Sequence, residues 1–334
     1  MSGNERHQQP ASCGVYSSLT KRNLSSSIID AAVERISSDH TSGAAEILSR
    51  AGDVFLLLDN HASELGIGDL ESAYRTILET CVAISNAQPD MSPLVRLSSA
   101  ALSAAQHAAT PTEALKSARD AALDFIESAG RAYRAAVLRG AAVIHERATV
   151  LTHSRSSTVL AALLEAKRAG RSFAVIATES RPMLEGRSLA ASLGGEGINV
   201  TLIADSAVAL ALSKVDIVLL GADKLTPRDV INKIGTRLIA LAARERDLPA
   251  YVLCDTSKFI SKDYYEAARG MKDPGELWED PPGGVEPENS YFEPTPIEFF
   301  AGIVTEDGLL AVDEARHRAE SAAIHQDLAD SLLR

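Results

Sequence analysis

The sequence predicts an α/β protein in which an N-terminal helical bundle is followed by a doubly wound, mostly parallel Rossmann-like sheet. Apolar residues recur at helical spacing from Asn23 to about Arg147, with almost no alternating segment. After Arg147 the texture changes to short apolar runs, often β-branched, separated by helix-length segments. A chain of 334 residues also exceeds the usual size of one hydrophobic core. Three spans are therefore expected: a mobile tail at 1–20, a helical domain at 21–147 and a Rossmann-like α/β domain at 148–334.

Within the helical part, Thr110-Pro111-Thr112-Glu113 marks one helix start. A capping hydroxyl precedes a proline at the first helical position, and Glu113 is spaced to reach back to the cap's N–H. The helix should run towards Ile144, with Gly130 as a weak point. The runs Ala148–Thr152, Phe173–Thr178, Val200–Ala204, Ile217–Leu220 and Tyr251–Cys254 are the expected strands. Their alternation with helices specifies parallel pairing through crossovers. Gly194-Gly195-Glu196-Gly197 precedes a strand, so it suits a helix-ending turn better than a dinucleotide phosphate loop. Gly275–Pro294, which holds the single tryptophan, Trp278, has no periodicity and is expected to be a long loop. From Asp313 to the C-terminus the pattern is again helical.

Composition excludes several classes. With 45 acidic against 33 basic residues the net charge is −12, the wrong sign for neutralising a phosphate backbone, so no direct nucleic-acid binding is expected. A local basic pocket for a small phosphate remains compatible with it. Cys13, Cys81 and Cys254 are far apart, with no disulfide or zinc spacing, which fits a reducing cytoplasm and implies no metal site. No run of about 18 apolar residues occurs, so no membrane span is expected. No cofactor motif stands out.

In doubly wound sheets, ligands sit beyond the carboxyl ends of the strands. The first run is followed by His153, Ser154, Arg155, Ser156, Ser157 and Thr158, a hydroxyl-rich turn into a helix whose free N–H groups favour an anion or simply need capping. The second ends in Thr178-Glu179-Ser180-Arg181-Pro182, followed by Glu185-Gly186-Arg187, where surface charge pairing suits Arg187 better than Arg181. Asp205 and Ser206 are expected to cap the next helix. Gly221-Ala222-Asp223 leads to Asn232-Lys233-Ile234-Gly235-Thr236, which is expected to open a further helix. Asp223, shielded from water, is a candidate proton carrier, and Lys233 a candidate phosphate or carbonyl contact. A purely structural buried Asp–Lys pair is the competing account. Lys258 adds a second lysine at the same edge, while Cys254 reads as a small core residue.

These same stretches, Leu151-Thr152-His153-Ser154, Thr178 to Pro182 with Glu185-Gly186-Arg187, Gly221-Ala222-Asp223, Asn232 to Thr236 and Ser257-Lys258-Phe259, resemble the family of translation initiation factor 2B alpha, beta and delta subunits. The resemblance extends to Phe292-Glu293-Pro294-Thr295-Pro296, to Ile303 through Gly308, and to Ser38-Asp39-His40-Thr41-Ser42-Gly43-Ala44 near the start. That family includes methylthioribose-1-phosphate and ribose-1,5-bisphosphate isomerases, whose chemistry, as the resemblance implies it, uses a cysteine and an aspartate.

Carried over residue by residue, the aspartate is Asp223, while Asn232, Lys233, Lys258 and Glu185 fall on ligand-holding positions. Gly43, Ala44, Ser156, Ser157, Thr158 and Arg181 complete the implied binding set. At the isomerase cysteine this chain has Ser154, whose hydroxyl is far less acidic than a thiol. Ser42 and Gln88 stand where the isomerases carry phosphate-gripping arginines. The resemblance thus implies a factor 2B-like protein that binds a sugar phosphate or nucleotide at the strand ends without standard isomerase activity. The alternative is a divergent aldose–ketose isomerase of a ribose 1-phosphate-type substrate using Asp223. It also implies a homo-oligomer, at least a dimer through the C-terminal domain, with related family subunits as further partners.

Overall fold

The computed structural model describes residues 28–39, 42–261 and 272–333. The expected tail at 1–20, Cys13, His40 and Thr41 lie outside the described residues. Five helices come first: α1 (28–37), α2 (Ala44–Asn60), α3 (Leu70–Ala87), α4 (Ser92–Ala105) and α5 (Pro111–Ala142). Their apolar stripes meet in a core that includes Ile36, Phe55, Leu58, Ile77, Ile84 and Leu97, all essentially inaccessible to water. The predicted start of α5 is present. Thr110 accepts a bond from the Glu113 N–H at 3.2 Å with Pro111 in the first turn, and the Glu113 carboxylate takes the Ala109 N–H at 2.8 Å, one residue before the cap.

Gly130 does not interrupt α5, which runs 32 residues, or about 48 Å. Its first half contributes Ala114, Ala118 and Ala122 to the helical core, and its last turns contribute Ala136 and Ala141 to the core against the sheet. One helix thus belongs to both cores and splints them together.

The sheet that follows has seven strands in the order β10-β9-β7-β4-β1-β2-β3. β1 (Thr149–Thr152), β2 (Ala174–Thr178), β3 (Asn199–Ile203), β4 (Ile217–Leu220) and β7 (Ala250–Leu253) fall within one residue of the expected runs. All of them pair in parallel, as does β9 (Gly302–Thr305) with β7, and only β10 (Gly308–Leu310) is antiparallel to its neighbour β9. Successive residues of a strand point to opposite faces. Val150, Val175 and Leu219 accordingly pack under α5, α6 (Ser157–Arg168) and α7 (Glu185–Gly195). Leu151, Val218 and Leu220 pack on the other face, against α8 (Val208–Ala211), α9 (Thr236–Glu245) and α10 (Val312–Glu320). The glycine turn after α7 ends the helix as expected, with the Ile198 N–H on the Leu193 carbonyl at 3.1 Å and Gly197 at φ +73°.

Three expectations are corrected. Asn232 and Lys233 do not open a helix. They end β6 (Asp229–Lys233), the middle strand of a small antiparallel sheet with β5 (Lys224–Leu225) and β8 (Phe292–Pro296), and α9 starts only after Gly235 turns the chain at φ +106°. The long loop is shorter than read, because Phe292–Pro294 pairs with Ile231–Lys233 as β8. The final helix is broken: α10 ends at Glu320, and α11 (Gln326–Leu332) begins after the His325 N–H bonds the Ser99 hydroxyl at 2.8 Å. Leu328 and Leu332 then bury in the helical core, so the chain returns to the helices where it began.

Candidate functional site

The carboxyl ends of β4 and β7 meet the corner between α3 and α4, where Asp223, Lys224 and Lys258 bond Ser92 and Pro89. Gly221, at the end of β4, lies against the α6 cap, because a Cβ built on it would meet the Ser156 side chain at 2.5 Å. Ser156 caps α6 by accepting the Val159 N–H at 3.4 Å. Gly43 at the start of α2 faces Ser157, with its Cβ position 3.6 Å from the serine's own. Two helix starts, those of α2 with Gly43 and Ala44 and of α6 with Ser156, Ser157 and Thr158, therefore meet beside the end of β4, and helix starts carry free backbone N–H groups.

Asp223 follows directly. Its carboxyl is shielded from water, although the residue as a whole is only half-buried. Burial raises its pKa, opposed by Lys258, Lys224 and Lys233, with Glu185 adding to the rise. Lys224, Lys233 and Lys258 are all buried. The Lys233 ammonium bonds Glu185 at 2.8 Å, and Asn232 donates its amide to the Thr236 hydroxyl at 2.9 Å, so it shapes the turn into α9. Lys224 reaches across to the helices and donates to the Pro89 carbonyl at 3.0 Å, and burial lowers its pKa against the pull of Asp90 and Asp223. Ser92 completes the seam by donating to the Lys258 carbonyl at 2.8 Å and the Asp223 carbonyl at 3.2 Å.

The loops after β1 and β2 are tightly held. Ser154 and Ser180 both adopt left-handed backbone, at φ +63° and +64°, and the Ser154 N–H bonds the Ser180 hydroxyl at 2.7 Å. His153 is buried, and burial lowers its pKa. One ring nitrogen meets Thr178 Oγ1 at 2.5 Å and the other the Ile234 carbonyl at 2.7 Å. Nε2 must carry the proton donated to that carbonyl, leaving Nδ1 to accept from Thr178. Both nitrogens are spent, and among the described residues no base bonds the Ser154 hydroxyl.

Arg181 is exposed, with its N–H on Asp205, and its side chain stays out of the lysine cluster. Asp205 does not cap the following turn. It takes the N–H groups of Ser180 and Arg181, both at 2.7 Å, and so fixes the β2 loop. Arg187 makes a surface pair with Glu179, as read from the sequence. Ser42 accepts from Arg50 at 3.4 Å, and Gln88 ties down the end of α1 through the Ile36 and Asp39 carbonyls. Cys254 is fully buried, and burial raises its thiol pKa, as a core residue requires.

Sequence reasoning missed Lys224, Asp90, Ser92 and Tyr291. Lys224 sits next to Asp223 in the chain and was within reach of the same motif. The other three come from a helix corner and a loop whose neighbours only the fold supplies.

The arrangement invites comparison with known proteins. A model of the initiation factor 2 subunit family matches residues 41–312. The chain belongs to this family. A ribose 1,5-bisphosphate isomerase of Archaeoglobus fulgidus is 32% identical over 296 residues, covering 85% of this chain and 90% of that one. The solved translation initiation factor eIF-2B of Pyrococcus horikoshii OT3 superposes with a TM-score of 0.72 at 28% identity, covering 85% of this chain and 96% of that one. The tetrameric eIF2B-beta2-delta2 complex of C. thermophilum shares the fold, with a TM-score of 0.68 at 15% identity over 92% of this chain and 99% of that chain. The relatives of this chain thus include both factor subunits and a sugar-bisphosphate isomerase. Among the described residues no helix is long and apolar enough to cross a membrane.

Proposed function

We propose that this family member binds a phosphorylated sugar, or a nucleotide through its ribose phosphate, at the strand ends, and that it does not carry out thiol-based isomerisation. The observation that carries the binding half is the convergence of Lys224, Lys233 and Lys258 on one acid-lined site facing the starts of α2 and α6. Buried cations are costly without anions. The acids present, Asp90, Asp223 and Glu185, offset them in the free protein, and a phosphate adds to that compensation in the complex. The isomerase named among the relatives points to ribose phosphates as the first ligands to try. The second half rests on Ser154, whose hydroxyl has no base bonded to it among the described residues, while the adjacent imidazole is fully engaged.

Thermal shift with ribose 5-phosphate, ribose 1,5-bisphosphate and AMP tests the reading. A ligand at 100 times its Kd stabilises by about 2.7 kcal/mol, and Lys233→Met and Lys258→Met are each expected to abolish the shift. No stabilisation by any member of the panel would overturn it. A second reading is favoured by Asp223 itself, since a carboxyl whose pKa is raised by burial can hold and pass a proton. Turnover of a ribose 1-phosphate-type substrate by wild type that vanishes in Asp223→Asn would replace the first reading with this one.

A homodimer or larger assembly through the sheet-containing part accompanies the proposal. Leu238 and Leu241 are 70% and 43% exposed on one side of α9, an unusual position for two leucines on a lone chain. Native mass measurement decides between one copy and several. A reducing cytoplasm suits the two described cysteines, Cys81 and Cys254, both free and buried.

A further inference from the structure

The segment after residue 271 builds a wall of the site that no motif announced. Lys272 donates its N–H to the Asn289 carbonyl at 2.9 Å, closing the loop on itself. Asn289, buried, donates its amide to the Asp273 carbonyl at 2.8 Å and the Glu276 carboxylate at 2.7 Å. The loop ends on Tyr291, whose hydroxyl donates to Glu276 and lies 3.2 Å from the Met183 sulfur. Contacts from both flanks thus fix the ring, and burial followed by the Glu276 bond raises the phenol's pKa, keeping it protonated.

Two ammonium groups sit over this ring, Lys233 at 4.9 Å from its centroid and Lys272 at 5.3 Å. Lys233 has Glu185 as an ion-pair partner, whereas Lys272 comes from the loop and stands half-buried near Asp90. Like charges gathered about one aromatic ring repel each other. The ring's negative face offsets part of that repulsion, and an anionic ligand offsets more.

We propose that Tyr291 is a positioning residue that holds Lys233 and Lys272 together on its ring as a two-lysine wall for the phosphate group of the ligand. The proposal rests on the phosphosugar reading of the site and adds Lys272 to it as a phosphate contact. The ring does the positioning, so the face matters more than the hydroxyl.

Calorimetry of the full chain with ribose 5-phosphate and with inorganic phosphate tests it. Tyr291→Phe is expected to bind within about twofold of wild type, whereas Tyr291→Leu and Lys272→Met each weaken binding about tenfold. The double variant should lose little more than the weaker single variant, because both act through one contact. A purely structural tyrosine would behave otherwise: Tyr291→Phe, lacking the Glu276 bond, would fall as far as Tyr291→Leu, and that result overturns the proposal, as does wild-type affinity in Tyr291→Leu. If Tyr291→Leu fails to fold, Lys272→Met carries the same decision. A ligand-free readout separates this inference from the site itself. After reductive methylation with labelled formaldehyde, the Lys272 signal, identified by its loss in Lys272→Arg, should be shifted upfield by the ring and return to normal in Tyr291→Leu. A shifted signal in a wild-type protein that binds neither probe would leave the geometry standing and sink both the site reading and the wall. Binding with an unshifted Lys272 signal would sink only the wall.

Discussion

Gly186, the second residue of α7, offers the sharpest mechanical test of how the site is held. A Cβ built there would lie 1.7 Å from the Thr178 carbonyl oxygen, and real Cβ contacts essentially never fall under 3.0 Å. Gly186→Ala must therefore move the start of α7 away from the end of β2 by about 1.3 Å. The clash is backbone against backbone, with no flexible side chain to swing aside, so the cost should lie at the upper end of overpacking, about 3 kcal/mol. Gly194 lies near the other end of the same helix with nothing within 4 Å of its Cβ position and no positive φ, so Gly194→Ala should stabilise by about 0.5–1 kcal/mol through helix propensity and loss of unfolded-state entropy. Urea unfolding followed by circular dichroism would measure the contrast of roughly 4 kcal/mol between two identical substitutions. The displacement also carries Glu185 away from Lys233 and leaves that ammonium less neutralised, so phosphate affinity should rise in Gly186→Ala and stay unchanged in Gly194→Ala. A Gly186→Ala protein within about 1 kcal/mol of wild type would refute the close approach on which the β2–α7 turn is argued.

Other perturbations follow from the same contacts. Ser92→Ala leaves the buried Lys258 and Asp223 carbonyls without their donor and should cost about 1–2 kcal/mol, read as a lower unfolding midpoint. Asp205→Ala unpairs the Ser180 and Arg181 N–H groups and should cost about 2 kcal/mol, with Asp205→Asn losing less, and faster amide exchange at Ser180 and Arg181 would confirm the cause. For Asp223 the sign runs with protonation: the folded pKa is raised, so the stability present at low pH is lost as pH climbs from the unfolded carboxylate value towards the folded one. Asp223→Asn should accordingly melt higher than wild type at neutral pH, with the difference closing below about pH 4, and a gap that widens on acidification would overturn the assignment.

Much of the site was legible because sheet topology converts sequence order into position. Once short β-branched runs are read as parallel strands, the residues after each run must share one edge, and Asp223 and Lys258, whose carbonyls Ser92 bridges, were placed on one edge for that reason. The small sheet of β5, β6 and β8 escaped because β5 has only two residues, β6 ends in the polar pair Asn232-Lys233, and β8 contains Pro294 and Pro296, which speak against a strand unless a partner is known. Asp205 was misjudged for a similar reason. Capping is a local habit of aspartate, whereas its actual partners, Ser180 and Arg181, lie 25 and 24 residues earlier.

What the sequence determined by itself is therefore the set of local and periodic choices: the helical first part, the capped start of α5, the parallel strands, the glycine turn after α7, and a serine in place of a thiol at position 154. These depend on spacing and on intrinsic residue chemistry, which a chain carries without folding. Only the tertiary structure decided that Lys224 crosses to Pro89, that Ser92 bridges the ends of β4 and β7, that α11 returns to the helical core, and that the Tyr291 ring lies against two lysines. Each of these joins segments far apart in the chain, and burial in a shared core, with no sequence period to announce it, brings them into contact.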